Sequence, residues 1–173
     1  CQRPAASTRN RLGNIAMKAY FLDTSAVVKH YVTEPGSAWV RGVVTSGAPV
    51  FLAEISLAEV ATALSILYRQ RLLRKTYRDA LWSQFERDTA VIYQWVTVPR
   101  PVIYAAALLG LRHPLKAYDA VQVAAAQSLA GDLKQQQVDL VIVSGDDQVL
   151  AAAQAEGLTV DNPFLHQDQE TTW

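Results

Sequence analysis

Residues 20–31, YFLDTSAVVKHY, place one acid at the end of a short apolar run. The run Tyr20-Phe21-Leu22 leads directly into Asp23, and apolar residues resume after Thr24-Ser25. Aspartate and hydroxyl residues are favoured at helix N-caps, so Asp23 can be interpreted simply as the residue that begins a helix. A second interpretation makes Asp23 one member of a group of acids. The rest of the chain has to decide between these two interpretations.

The composition is that of a single globular domain. The chain has 173 residues, half of them hydrophobic, and equal numbers of basic and acidic side chains, 16 of each. No overall charge therefore indicates a nucleic-acid partner. The single cysteine, Cys1, excludes an internal disulfide and a cysteine-rich zinc site, which fits a reducing cytoplasm. No apolar run approaches the roughly 18 to 20 residues of a membrane span, so we expect a cytoplasmic protein without a membrane partner.

The two ends of the chain differ from its middle. Residues 1–16 are polar, show no clear apolar period and precede the only methionine, Met17. We predict that they form a tail outside the fold, that the domain covers residues 17–165, and that residues 166–173 form a C-terminal tail.

Short apolar runs alternate with helical patterns along the domain. The runs at 19–22, 50–53 and 140–143 are typical of buried strands, and residues 96–98 and 158–160 are weaker candidates. Helical patterns cover 57–68, 75–92, 101–110, 118–130 and 146–156. Strands that alternate with helices predict a parallel sheet with helices on both faces.

Four acids begin helices in this scheme. Asp23 follows the first strand, Asp146 follows the strand at 140–143, and Glu59 lies early in the helix after the strand at 50–53. Asp119 opens the apolar helix at 118–130. Because ligands of parallel α/β sheets bind at the carboxyl ends of the strands, these acids are expected to meet at one edge of the sheet.

Helix capping explains each aspartate singly but not the group. Capping does not require apolar neighbours, yet Tyr-Phe-Leu precedes Asp23 and Ala-Val-Gln-Val follows Asp119. Acids clustered at a buried edge repel one another unless a cation lies among them, and a divalent ion with oxygen ligands is the simplest such cation. Glu59 also shares one edge of its helix with Ser56, Ala63 and Ile66, beside the apolar stripe.

Five segments in this order resemble the PIN domain, specifically the VapC-type toxins of toxin–antitoxin pairs. They are FLDTSAVVKHY (21–31), EISLAEVATAL (54–64), LKAYDAVQVAAA (115–126), VSGDDQVLAAAQAEGL (143–158) and VDNP (160–163), and the resemblance covers about residues 18–163. It implies a three-layer α/β/α sandwich with a central parallel sheet. It also implies an endoribonuclease that hydrolyses RNA with Mg²⁺ or Mn²⁺, a homodimer, and a cognate antitoxin protein that blocks the site.

The resemblance also assigns roles to residues. Asp23 and Asp119 correspond to the acids that chiefly bind the metal, and Glu59 and Asp146 complete the four-carboxylate catalytic site. Ser25 and Ser144 match the hydroxyl positions beside the first and last acids. The last motif contains two adjacent acids, and its spacing to Leu150 favours Asp146 for catalysis and leaves Asp147 to cap the helix.

Two other functions stay open. A PIN-like scaffold could bind partners without catalysis, and a phosphoacceptor signalling domain also gathers acids at a sheet edge. The signalling domain fits poorly, because a single acid follows Leu22 where adjacent acids are expected.

Other polar residues have weaker interpretations. The basic segment 69–78 is interpreted as a solvated corner, with RNA contact as the alternative. Residues that could meet phosphate near the acids are Lys29, His30, His113 and Lys116.

Overall fold

A computed structural model describes residues 17–170 of the chain, with the backbone alone described for residues 167–170. Its strands are β1 (Met17–Leu22), β2 (Val50–Ala53), β3 (Tyr93–Val96), β4 (Val138–Val143) and β5 (Thr159–Asp161). The first four helices are α1 (Thr24–Tyr31), α2 (Ser37–Thr45), α3 (Ser56–Arg69) and α4 (Lys75–Asp88). They are followed by α5 (Arg100–Arg112), α6 (Ala117–Gln135), α7 (Asp147–Ala155) and a 3₁₀ segment, Pro163–Glu170.

The five strands form one parallel sheet in the order β3-β2-β1-β4-β5. β1 lies at the centre and pairs with β4 along its whole length, from Met17 opposite Val138 to Leu22 opposite Val143. The chain builds outward from β1 to β3 on one side, then crosses to β4 and β5 on the other. The crevice between the carboxyl ends of β1 and β4 is therefore the point where the strand order reverses, which is where α/β sheets bind ligands.

Side chains of the central strands alternate between two cores. Ala19 and Phe21 of β1 pack with α5, α6 and α7, whereas Leu22 packs on the opposite face with α1 to α4. In β4, Ile142 and Val143 divide in the same way. Both faces of the sheet are thus covered by helices, and the predicted three-layer α/β/α sandwich is confirmed.

Most predicted elements are present, with corrections at the sheet edge and near residue 40. The weak strand candidate at 96–98 was wrong in position, because the edge strand β3 covers Tyr93–Val96. Helix α2 was not predicted; it begins after Gly36 without a side-chain cap. The helix expected over 75–92 ends at Asp88. The expected tail of residues 1–16 lies outside the described residues, and the limits of the domain stay predictions.

The segment after β5 packs closely against the start of α2. Gly36 has a φ of +85°, and a Cβ added there would lie 2.6 Å from the carbonyl oxygen of Pro163. Glycine is required at this position both for the left-handed backbone and for the close approach. His166 stacks on Trp39 of α2, with ring centroids 4.2 Å apart, and its Nε2 donates a 2.7 Å hydrogen bond to Asp161 Oδ1. Within the described residues, no helix is long and apolar enough to cross a membrane.

Candidate active site

The predicted site residues converge on the crevice between β1 and β4. Asp23 follows β1 directly, and its backbone N–H donates to the carbonyl of Val143, the last residue of β4, at 3.0 Å. Ser144 and Asp146 follow β4, so the loop after β4 lies beside Asp23. Glu59 reaches the site from the first turn of α3, and Asp119 from the first turn of α6.

Asp23 is both a helix cap and a buried acid. Its Oδ1 accepts a hydrogen bond from the backbone N–H of Ser25 at 3.2 Å, which caps α1. Its Oδ2 accepts from the hydroxyls of Ser25, at 3.0 Å, and of Ser144. The residue is only 6% exposed. The two interpretations of this acid are therefore compatible: one oxygen begins the helix, and the carboxylate as a whole is held inside the crevice.

The same two serines hold the loop after β4. Ser25 Oγ accepts from the backbone N–H of Gly145 at 2.8 Å, and Ser144 Oγ accepts from the N–H of Asp146 at 3.0 Å. Each hydroxyl thus donates to Asp23 and accepts from the loop that carries Asp146. The position of Asp146 relative to Asp23 is fixed by these two bridges.

Glu59 is held by two residues that the sequence analysis did not identify. Its Oε2 accepts hydrogen bonds from Thr24 Oγ1, at 2.8 Å, and from Gln122 Nε2. Gln122 also donates to Ser56 Oγ at 3.1 Å and is 1% exposed. Its Oε1 is buried and has no hydrogen-bond partner among the described residues. The sequence contained a signal for Gln122, because it is the polar residue of the apolar run 120–126 and lies one helical turn after Asp119.

The prediction that Asp147 caps the last helix is wrong. Asp146, not Asp147, is the N-cap of α7, and its Oδ1 accepts from the backbone N–H groups of Gln148, at 2.8 Å, and Val149, at 3.4 Å. Asp147 is the first residue of the helix, is exposed, and accepts a 3.4 Å bond from Asn162. The N-cap position has the backbone geometry that leaves a short side chain free to turn back, and Asp146 occupies it.

Burial and mutual repulsion raise the pKa of three of the acids. Desolvation is the main cause for Asp23, Glu59 and Asp119. Asp119 adds to the rise for Asp23, both Asp23 and Asp119 add to the rise for Glu59, and the charge of Asp146 raises the pKa of Asp119. These couplings join all four acids into one electrostatic group. Lys116 opposes the rise at Asp119.

The carboxylate oxygens of these four acids suit a hard divalent cation that keeps some of its own water ligands. The described residues contain no group of three or more His, Cys, Asp or Glu side chains that could hold a metal ion by themselves. Mg²⁺ commonly binds to one or two carboxylates and completes its shell with water and substrate phosphate, so a complete protein cage is not required. A cation would also relieve the repulsion that raises the pKa values of these acids.

Two basic residues named from the sequence are paired with glutamates outside the group of four acids. Lys29 is buried, forms a 3.1 Å ion pair with Glu34, and lies over the ring of Phe164. His113 lies 2.7 Å from Glu156, to which Arg112 also donates. His30 is partly buried, and burial lowers its pKa. Lys116, the N-cap of α6, differs from these three residues because its charge lowers the pKa of a candidate site acid, Asp119.

Comparisons with known proteins agree with this fold. A family model described as the PIN domain matches residues 20–156. FitAcB from Neisseria gonorrhoeae is 19% identical, with a TM-score of 0.60, over 84% of this chain and 98% of that chain. PAE2754 from Pyrobaculum aerophilum is 18% identical, with a TM-score of 0.60, over 91% and 97%. VapBC2 from Rickettsia felis, solved with a fragment of promoter DNA, is 12% identical, with a TM-score of 0.56, over 83% and 98%. Comparison with curated proteins gave no match.

Proposed function

The chain belongs to the PIN domain family, and from this premise we propose that it is a metal-dependent endoribonuclease that acts as the toxin of a toxin–antitoxin pair. The observation that carries the proposal is the group of four carboxylates at the strand-order reversal. Asp23, Glu59, Asp119 and Asp146 come from four different elements and are coupled in charge. Acids arranged in this way are costly to a fold unless they serve a cation and an anionic substrate.

Asp23 and Asp119 are the residues that would hold Mg²⁺ or Mn²⁺. When bound, such an ion lowers the pKa of a water molecule and neutralises charge on a phosphate. Asp23 is suited to this role because three hydrogen bonds hold its carboxylate in one orientation. Asp119 is half-buried, so it can face both the crevice and solvent.

Glu59 and Asp146 would orient the attacking water and accept its proton. Glu59 Oε2 is used by Thr24 and Gln122, whereas Oε1 has no hydrogen bond within the described part of the chain. Oε1 is therefore the oxygen that can accept a hydrogen bond from water. A general base works best when its pKa lies near the working pH, and burial raises the pKa of Glu59 in that direction.

The partners follow from the same proposal. The substrate is RNA, the inhibitor is a small cognate antitoxin protein, and the functional unit is a homodimer. Support for the antitoxin comes from the structural neighbours, which include a toxin–antitoxin complex from Klebsiella pneumoniae and VapBC2. A cationic antitoxin side chain that entered the crevice would pair with the repelling acids.

Cleavage of a labelled mixed RNA pool tests the proposal. We expect the purified protein to cleave RNA with Mg²⁺ or Mn²⁺, and to lose that activity in EDTA or on Asp119→Asn substitution. The alternative is a catalytically silent scaffold. It needs a direct test, because the described residues include no group of three or more His, Cys, Asp or Glu side chains that could hold a metal ion. A folded protein that cleaves no RNA with either ion, or cleaves it equally well in EDTA, would contradict the proposed metal-dependent nuclease activity.

Co-purification with the product of a neighbouring gene tests the proposal that the protein has an antitoxin partner.

A further inference from the structure

Gly145 joins the end of β4 to Asp146, and the ring of Phe164 lies against it. A Cβ added at Gly145 would lie 3.1 Å from Cε2 of that ring and 3.6 Å from Cε of Lys29. Carbon atoms in favourable contact lie about 3.5 to 4.0 Å apart, so a residue with a side chain would push the ring away. The edge of the ring therefore occupies the space where a side chain at position 145 would begin.

The ring of Phe164 is held in place by a buried cation. Nζ of Lys29 lies 4.0 Å from the ring centroid, within the roughly 6 Å over which an aromatic face attracts an ammonium group. Lys29 is 3% exposed and forms a 3.1 Å ion pair with Glu34. The attraction between a cation and a ring is stronger when the cation is desolvated, and the ion pair fixes where the ammonium lies. Phe164 is thus supported at its face while its edge meets Gly145.

The backbone on both sides of Phe164 is anchored as well. Pro163, which precedes it, packs closely against Gly36 at the start of α2. His166, which follows it, stacks on Trp39 of the same helix. The ring therefore reaches the loop after β4 from a segment that is attached to α2 at two points.

The loop after β4 needs a support besides its two serines. Gly145 and Phe164 both line an open cleft of about 350 Å³ beside α1. Glycine has more backbone freedom than any other residue, so Gly145 is the point at which this loop can bend. Without the ring, water in the cleft would compete for the 2.8 Å hydrogen bond from the Gly145 N–H to Ser25 Oγ. Loss of that bond would release the next residue, Asp146.

We propose that Phe164 is a positioning residue for Asp146: its ring holds Gly145 in place and thereby keeps the Asp146 carboxylate in the group of four acids. This inference rests on the proposed function, in which Asp146 takes part in cleavage. Phe164 acts through Gly145 and takes no part in the chemistry itself. The match to the PIN-domain model ends at residue 156, so Phe164 lies outside the matched residues. A substitution of Phe164 should affect the chemical step more than the binding of RNA.

Cleavage kinetics test the role of the ring. Phe164→Ala should lower kcat by about 10- to 100-fold, since a misplacement of about 1 Å can cost about 100-fold, and should leave KM nearly unchanged. Phe164→Tyr keeps the aromatic face over Lys29 and the ring edge, so it should retain activity. Leu165→Ala is the matched control, because Leu165 lies in the same segment and is 80% exposed. A raised KM with an unchanged kcat would show that Phe164 binds the substrate, and it would overturn the inference.

A second substitution tests the contact itself. Gly145→Ala adds a methyl group that meets the edge of the ring, so it should also lower kcat. In the Phe164→Leu protein that edge is absent, and Gly145→Ala should lower kcat by a much smaller factor. Substitutions of residues in contact are non-additive in this way, whereas those of independent residues are additive in free energy. Effects on kcat that simply multiply would contradict the proposed contact.

Amide hydrogen exchange separates positioning from chemistry. In the protein without added metal, Phe164→Ala should speed exchange of the Gly145 and Asp146 amides by about tenfold and leave the amides of β4 unchanged. Thermal melts show whether each variant is folded, and Phe164→Leu replaces Phe164→Ala in these measurements if the alanine variant is unfolded. Unchanged exchange at Gly145 would overturn the inference. An equal rise throughout β4 would also overturn it, because it would show a general loss of stability.

The two kinds of measurement distinguish this inference from the proposed function. If the unsubstituted protein cleaves RNA and Phe164→Ala matches it in kcat, the positioning role is wrong and the nuclease stands. If no protein cleaves RNA while exchange rises at Gly145 and Asp146 alone, the nuclease is wrong and the support of the loop by Phe164 stands.

Discussion

Gln122 of α6 donates a hydrogen bond to Glu59 of α3 across a separation of 63 residues in the chain. The bond stabilises the ionised carboxylate, so it lowers the pKa of Glu59 against the larger effect of burial. Helices from the two faces of the sheet thereby meet at one oxygen, Oε2. This contact helps to hold the flexible side chain of Glu59 in one position.

We predict that Gln122→Leu shifts the pH dependence of cleavage. Without the donor, the pKa of Glu59 rises further, so the acidic limb of the pH–activity profile should move to higher pH. Gln127→Leu on the same helix is the control, because Gln127 contacts Glu156, away from the acids. A profile that falls by the same factor at every pH would show that Gln122 only supports the fold.

Asp119→Asn should abolish cleavage without destabilising the apo protein. Burial and the charge of Asp146 raise the pKa of Asp119 in the folded state. A raised carboxyl pKa means that ionisation costs stability, a cost that is absent at low pH and is complete once the pH exceeds the folded pKa. At neutral pH in EDTA, the melting temperature of Asp119→Asn should therefore equal or exceed that of the unsubstituted protein. Asp23→Asn should also remove cleavage, and full activity in either variant would contradict the proposed metal ligands.

Asp146→Asn and Asp147→Asn form a matched pair. Asparagine caps helices about as well as aspartate, so Asp146→Asn should leave the melting temperature nearly unchanged while cleavage falls strongly. Asp147→Asn should cost at most about 1 kcal/mol of stability, from the loss of a charge near the helix N-terminus, and little activity. Kinetics and thermal melts on both proteins check this. An inactive Asp147→Asn with an active Asp146→Asn would place the catalytic acid one residue later.

Glu156→Gln should destabilise the protein at neutral pH but not in strong acid. Hydrogen bonds from His113 and then Arg112 lower the pKa of Glu156 to about 2, from an ordinary 4.5. A lowered carboxyl pKa contributes stability that is complete above about 4.5 and is lost as the pH falls towards 2. We expect a loss of about 1 kcal/mol or less at pH 7, since solvent screens the pair. The difference in melting temperature should shrink below pH 4.5, and Glu86→Gln, at an exposed position, should show no such trend.

The strands and most helices could be predicted because the apolar pattern is local. Val50–Ala53 is buried on both faces, so its four apolar residues mark β2 with the bounds that the structure gives. β3 is an edge strand with half-exposed residues, which weakens the same signal. α2 has apolar residues at helical spacing, Val40, Val43 and Val44, but it is short and follows Gly36 without a side-chain cap, so its start carries no sequence signal.

The four candidate acids could be named from the sequence, but the residues that hydrogen-bond to them could not. Asp23, Glu59, Asp119 and Asp146 each follow a strand or open a helix, and the family resemblance identifies them. Which hydroxyl or amide meets them is decided by tertiary packing. Thr24 and Gln122 become partners of Glu59 only when α1, α3 and α6 meet, at separations of 35 and 63 residues.

The central position of β1 has a consequence for synthesis on the ribosome. The β2 partner of β1 is translated early, but the other edge of β1 waits for β4, whose last residue is Val143. Asp23 lacks its Ser144 partner until that point. A nascent chain therefore carries an open strand edge but an incomplete set of acids. If the proposed function is correct, cleavage activity should appear only after nearly the whole domain has been translated, and the ribosome that makes this protein would not meet a working nuclease during elongation.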